Sequence, residues 1–272
     1  MQTVFNSSLI VLSILYTILF MAYAQIFAKG SDGVARYARA LLVVTVVLNF
    51  LSVLLRGKME KACPLGSPGE FLALVAFSIA VIYAILELRI GERTTGVFAI
   101  APAFALQAIA TVRILGQAGV PESKMGLFRS FHSFSAVVAL SAVAVCGVYG
   151  LLYLFLYGAI KAGKFGLFYR KMPSLEKLSD LNFVATCIAF LALTVTSAMD
   201  FWSMLSAPGT DLSFLRPELI ATTFLWALYG GSIVARKVFG VGGKRLAYIT
   251  VLGSILLVAI LLGGVTMADF HR

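Results

Sequence analysis

Charged residues are scarce in this sequence. Asp, Glu, Lys and Arg make up 12% of its 272 residues, whereas a soluble domain has about 25%. Residues with apolar side chains make up 60%, and the mean hydropathy is +0.97. Most of the outer surface must therefore face lipid, and a soluble domain beside the membrane-embedded part is excluded.

Cysteine is also rare, with three residues and no C-x-x-C or C-x-x-C-H spacing. This excludes the common motifs for covalent haem attachment and for a thioredoxin-like redox pair. Cys63 lies between apolar runs, and Cys146 and Cys187 lie in separate runs. We expect the last two to be buried packing thiols.

Long apolar runs dominate what is present. A bilayer-spanning helix needs about 20 apolar residues, and the absence of period-two alternation excludes barrel strands. The sequence predicts an all-α membrane protein of eight transmembrane helices, forming a single integral membrane domain over residues 1–272. The runs cover residues 9–28, 38–55, 71–88, 97–115, 132–160, 183–204, 217–235 and 246–267.

The basic residues predict the orientation of these helices. Fourteen of the 22 Lys and Arg residues lie after the odd-numbered runs, and eight lie on the other side. Because cytoplasmic loops carry the excess of Lys and Arg, both termini are predicted to be extracytoplasmic. The net charge of +10 does not indicate nucleic-acid binding, since the basic residues are scattered through short loops.

Only two histidines occur, His132 and His271. The predicted orientation places both at the outer surface, one at the start of the fifth run and one after the eighth. Neutral imidazole is the commonest metal ligand among side chains, so the pair is a candidate metal or haem site. The alternative is that each is simply a polar side chain at headgroup depth.

Several motifs resemble the membrane-embedded cytochrome c assembly family of the HemX and CcsA type. Residues 173–182 read PSLEKLSDLN, similar to the family's P-x-L-E-x-L-D-x-L segment, and residues 240–247 read GVGGKRLA, similar to its glycine-basic turn. Phe131-His132 and Phe270-His271 stand where the family places two outward-facing histidines. Further matches over residues 131–272 are Pro217, Trp226, Tyr229 and Arg236. A looser match over residues 1–130 includes Pro64, Ser67, Glu70, Glu87-Leu88-Arg89, Gly96-Val97-Phe98 and Pro102.

The resemblance implies haem handling in a bacterial inner membrane. It makes His132 and His271 the axial ligands of the iron of a non-covalent haem b at the outer face. Cations would then hold the haem propionates, and an aromatic side chain would form a wall of the pocket. The candidates are Arg113, Arg129 and Arg216 for the propionates and Trp202 for the wall.

Two departures from the family pattern favour the HemX-type members. The tryptophan-rich loop is missing, since residues 203–214 contain no tryptophan and Leu215-Arg216 stands in place of Trp-Asp. Val234 stands where the synthetases carry an inner histidine. The sequence therefore favours a haem-binding accessory protein of cytochrome c biogenesis or haem metabolism, and speaks against an enzyme.

Two other functions stay open. The chain could be the haem-ligating component of a cytochrome c synthase. It could also be a subunit of a larger membrane complex that binds a b-type haem and has an electron-transfer or structural role. The partners implied are haem, the lipid bilayer and either apocytochrome c or a membrane assembly protein.

Overall fold

A computed structural model gives the fold. It describes residues 2–30, 32–60, 65, 67–116, 127–205 and 217–270, and the side chains of residues 2, 32, 60, 127, 167, 217, 218 and 260–270 are not described. Within these residues helices are the only regular secondary structure, and there is no strand. The all-α prediction is thereby confirmed.

Nine helices cover the described residues. Eight are long, and each contains one of the predicted apolar runs; the short α6 was not predicted. Their bounds are α1 Gln2–Lys29, α2 Asp32–Glu60, α3 Pro68–Ile90, α4 Gly96–Leu115, α5 Leu127–Lys161, α6 Leu167–Lys171, α7 Leu175–Leu205, α8 Pro217–Phe239 and α9 Gly243–Phe270.

Seven helices among the described residues are long and apolar enough to cross a membrane, so the chain is a multi-pass membrane protein. These are α1 to α5, α7 and α8. The eighth span, in α9, and the extracytoplasmic position of both termini stay predictions.

The helices are longer than the apolar runs because polar residues complete their ends. Ser67 caps α3 by accepting the backbone N–H of Glu70, and the Glu70 carboxylate accepts the backbone N–H of Ser67. This capping box satisfies two N–H groups that a helix start leaves without partners. Gly30 and Gly240 adopt φ of 63° and 62°, a left-handed conformation that glycine adopts readily at turns.

The contacts between helices divide the chain into two compact units. The first unit comprises Met1–Val138 and Gly166–Pro173, and the second comprises Ala139–Phe165 and Ser174–Arg272. The prediction of one membrane domain is not tested by this division.

In the first unit α1 to α4 form a closed ring, since α1 contacts α2 and α4, and α3 contacts the same two helices. A buried cluster at one end includes Leu19, Tyr23, Leu42 and Tyr83. The rings of Tyr23 and Tyr83 meet edge to face at 5.2 Å. Both tyrosine side chains also lie where a Cβ atom on residue 96 would be. Only glycine, which has no Cβ, therefore fits at this first residue of α4.

In the second unit α7, α8 and α9 pack against one another, and α5 meets α9 through small residues. A Cβ on Gly150 would lie 2.6 Å from Thr250 Oγ1, and one on Gly147 would overlap Ser254. The Ser254 hydroxyl donates to the Val143 carbonyl at 2.7 Å. Close backbone approach and hydrogen bonds of this kind hold helices together where lipid removes the hydrophobic driving force.

Candidate functional site

His132, the first predicted haem ligand, lies in the second turn of α5 with its side chain half-buried. Its backbone carbonyl accepts a hydrogen bond from Ser135 Oγ at 2.8 Å. Arg129 lies three residues earlier and is exposed. Because residues three apart are neighbours on a helix surface, α5 brings a predicted iron ligand and a predicted propionate partner together.

The other predicted site residues lie on other helices or outside the described residues. Arg113 lies in the last turn of α4 in the first unit and is exposed. Trp202 lies near the end of α7 in the second unit, with 65% of its surface exposed. Arg216 and His271 lie outside the described residues, so the shared haem site stays a prediction.

The described donors fit one side of a haem. Haem iron is already bound by the porphyrin, so it needs few ligands from the protein. Histidine is the usual protein ligand. If haem binds here, the half-buried imidazole would be the iron ligand and the cation one turn away the propionate partner. For a bare metal ion, the described part of the chain offers no group of three or more His, Cys, Asp or Glu residues.

Sequence reasoning missed a buried ion pair in the first unit. Arg56 Nε donates to Glu70 Oε1 at 2.7 Å, and Arg56 Nη2 donates to the same oxygen. The two side chains are 3% and 2% exposed. The Phe5 ring lies 4.8 Å from Arg56 Cζ and covers the guanidinium. These residues, with the cap residue Ser67, are called the Glu70 cluster below.

A small cavity of about 30 Å³ adjoins the Glu70 cluster. Its lining includes Asn49, whose Nδ2 donates to the Tyr16 hydroxyl at 3.0 Å, and Gln107. Gln107 is fully buried, and its Oε1 accepts no hydrogen bond within the described part of the chain.

A second carboxylate, Glu87, is buried near the other end of α3. Its Oε2 accepts a hydrogen bond from the Tyr23 hydroxyl, and its Oε1 accepts one from Arg39 Nε at 3.0 Å. Arg93 Nε forms an ion pair with the same Oε1 at 3.3 Å. Glu87 is 1% exposed, whereas Arg39 and Arg93 are 38% and 27% exposed. We call these four residues the Glu87 cluster.

Residues that carry the family resemblance meet one another in the second unit. Arg236 Nη1 donates to the Ser179 carbonyl and hydroxyl at 3.0 and 2.7 Å, and its Nη2 donates to Asp180 at 2.9 Å. The guanidinium also lies over the Phe183 ring, 4.6 Å from its centroid. The motif at 173–182 and the arginine of α8 thus join α7 to α8, which gives them a structural role.

The sequence carried only a weak signal for the two carboxylate clusters. Glu70 precedes the third apolar run and Glu87 is its second-last residue, and acids at such positions are usually the hydrated ends of helices. Their partners lie on other segments, with Arg56 14 residues from Glu70 and Tyr23 64 residues from Glu87. The count of Lys and Arg that predicts the orientation treats every arginine in the same way. It therefore does not distinguish the buried Arg56 from exposed arginines.

The sequence matches no protein-family model, and comparison with curated proteins finds no match either. The resemblance to the cytochrome c assembly family therefore stays a prediction based on the motifs themselves.

Proposed function

We propose that this chain is a haem-binding accessory protein of cytochrome c biogenesis or haem metabolism in the bacterial inner membrane. In this proposal it crosses the membrane eight times with both termini outside. It holds one haem b non-covalently at the outer face, and it needs a partner to pass that haem on.

The placement of the two histidines carries the proposal. They are the only histidines among 272 residues, and both stand beside the predicted outer end of an apolar run. Each also coincides with a family position for an outward-facing ligand. The half-buried side chain of His132 and the neighbouring Arg129 on α5 are compatible with this role.

The proposal gives each site residue a task. The imidazoles of His132 and His271 would bind the haem iron. Arg113, Arg129 and Arg216 bind the propionates, and Trp202 packs against the porphyrin edge. Haem, when bound, supplies a redox-active iron and the vinyl groups that a cytochrome c thiol attacks.

The accessory role follows from the loop between the sixth and seventh apolar runs. Residues 207–211 read APGTD, which offers no aromatic surface against which haem could be oriented. Orientation and proximity account for about 7–11 kcal/mol of a reaction barrier, so a chain without that surface should not attach haem alone. Apocytochrome c or a membrane assembly protein would bring the missing surface.

The visible absorption spectrum of single variants tests the proposal. Protein purified from haem-supplied cells should show a low-spin six-coordinate haem. His132→Ala and His271→Ala should each convert it to a five-coordinate spectrum, because one axial ligand is lost. Ser133→Ala, beside His132 on α5, is the matched control and should leave the spectrum unchanged. Spectra unaffected by either histidine substitution would refute the ligand assignment.

A further inference from the structure

The Glu87 cluster contains more positive charge than its carboxylate needs. Arg39 Nε and Arg93 Nε both approach Glu87 Oε1, at 3.0 and 3.3 Å, so the two Nε atoms are at most about 6 Å apart. Tyr23 occupies the other carboxylate oxygen. One buried negative charge therefore holds two guanidinium groups side by side.

The outer ends of these guanidinium groups remain available. Each arginine uses Nε toward Glu87, and within the described residues neither makes a hydrogen bond through its Nη atoms. Their side chains are 38% and 27% exposed. Glu92, the other nearby acid, directs Oε1 to the backbone N–H groups of Arg93 and Thr94 and to the Thr94 hydroxyl. Each of these three contacts is made within residues 92–94.

The cluster lies at the depth of lipid headgroups. Glu87 follows Glu70 by 17 residues on α3, or about 26 Å at 1.5 Å per residue. This nearly spans the hydrocarbon layer of about 30 Å. Ile85 and Leu88, in the same turns as Glu87, are 38% and 64% exposed. Apolar surface and paired arginines thus meet at one boundary of the bilayer.

We propose that Arg39 and Arg93 bind the phosphate group of an anionic phospholipid, with Glu87 as the residue that positions them. Guanidinium groups bind phosphate oxygens through paired N–H donors, and basic pockets between transmembrane helices bind phospholipid headgroups. The exposed apolar residues of α3 favour a lipid over a soluble phosphate, because acyl chains would cover them.

Lipid binding by purified variants tests this inference. The probes are phosphatidylglycerol, phosphatidylcholine and glycerol phosphate, each added to delipidated protein, with affinity read by native mass spectrometry and by the shift in unfolding temperature. The test variant Arg39→Gln/Arg93→Gln/Glu87→Gln removes both arginines together with the buried acid, so that no unpaired carboxylate remains. The control variant Arg36→Gln/Arg89→Gln removes two exposed basic residues from α2 and α3.

We expect the test variant to bind phosphatidylglycerol about tenfold more weakly, since two charge-assisted contacts are lost. The control should bind within about twofold of the unchanged protein, because exposed charges act weakly. Equal losses in both variants would show general surface attraction and overturn the site. Equal binding of phosphatidylcholine would overturn the requirement for an anionic lipid, and equal stabilisation by glycerol phosphate would overturn a lipid source.

A second variant keeps the test decisive if the triple substitution prevents folding. Arg39→Lys/Arg93→Lys retains both charges but loses the planar donor pair, so phosphatidylglycerol should bind severalfold more weakly than to the unchanged protein. Undiminished binding to the lysine variant would contradict recognition by paired guanidinium groups.

Discussion

Two buried carboxylates on one helix, Glu70 and Glu87, differ in how their charge is balanced. Glu70 has one arginine partner, and both side chains are almost completely shielded, at 2% and 3% exposed. Glu87 has two arginine partners, each more than a quarter exposed. Among the described residues, the first arrangement pairs one acid with one arginine away from solvent, which favours a structural role. The second pairs one acid with two partly exposed arginines, and the anion site that we propose rests on that difference.

The largest expected effect comes from breaking the closed pair. Arg56→Met leaves the Glu70 carboxylate buried without its counter-charge, and such a loss costs about 3–5 kcal/mol. We expect this decrease in the free energy of unfolding, measured by denaturant titration in detergent micelles.

The double variant Arg56→Met/Glu70→Gln is the control for that experiment. Gln retains the capping box with Ser67 and carries no charge, so most of the lost stability should return. A double variant as unstable as the single one would show that the arginine acts through packing and not through charge.

An intermediate effect is expected at the tyrosine of the Glu87 cluster. Tyr23→Phe removes a hydrogen bond to a buried carboxylate, worth about 1.5–3 kcal/mol. Tyr16→Phe, two turns earlier on the same face of α1, removes weaker neutral contacts with Asn49 and the Ala76 carbonyl, worth about 0.5–1.5 kcal/mol. Thermal unfolding of the two variants should rank them in this order, and the reverse ranking would contradict a charged Glu87.

The smallest effect is expected at the accessible arginine of the same cluster. Arg93→Gln leaves Glu87 with Arg39 and Tyr23, and the lost pair is partly hydrated. Such pairs contribute about 0–1 kcal/mol, so the unfolding midpoint should hardly change. A loss as large as that of Arg56→Met would mean that both carboxylates are structural, and the comparison would fail.

The helices could be predicted because their signal is local. Each apolar run lies inside one long helix, and the glycine-basic turn before α9 was evident from residues 240–247. The helix ends were less predictable, since the capping box at Ser67 adds polar residues that hydropathy assigns to a loop. The short α6 has too few residues to produce a periodic signal.

The carboxylate clusters could not be predicted, because they depend on which helices become neighbours. Arg39 lies 48 residues from Glu87, and nothing in the local sequence near either residue indicates the other. The histidines were singled out by rarity instead. Rarity identifies a candidate ligand without locating its partner, so the placement of His132 is described and the pairing with His271 stays a prediction.

The central claim is that two histidines hold haem, and haem titration of His132→Ala/His271→Ala tests it most directly. The purified double variant and the unchanged protein would each be titrated with haem while the visible spectrum is recorded. The account predicts a stoichiometric low-spin complex for the unchanged protein and none for the variant. An identical low-spin spectrum from both proteins would contradict it.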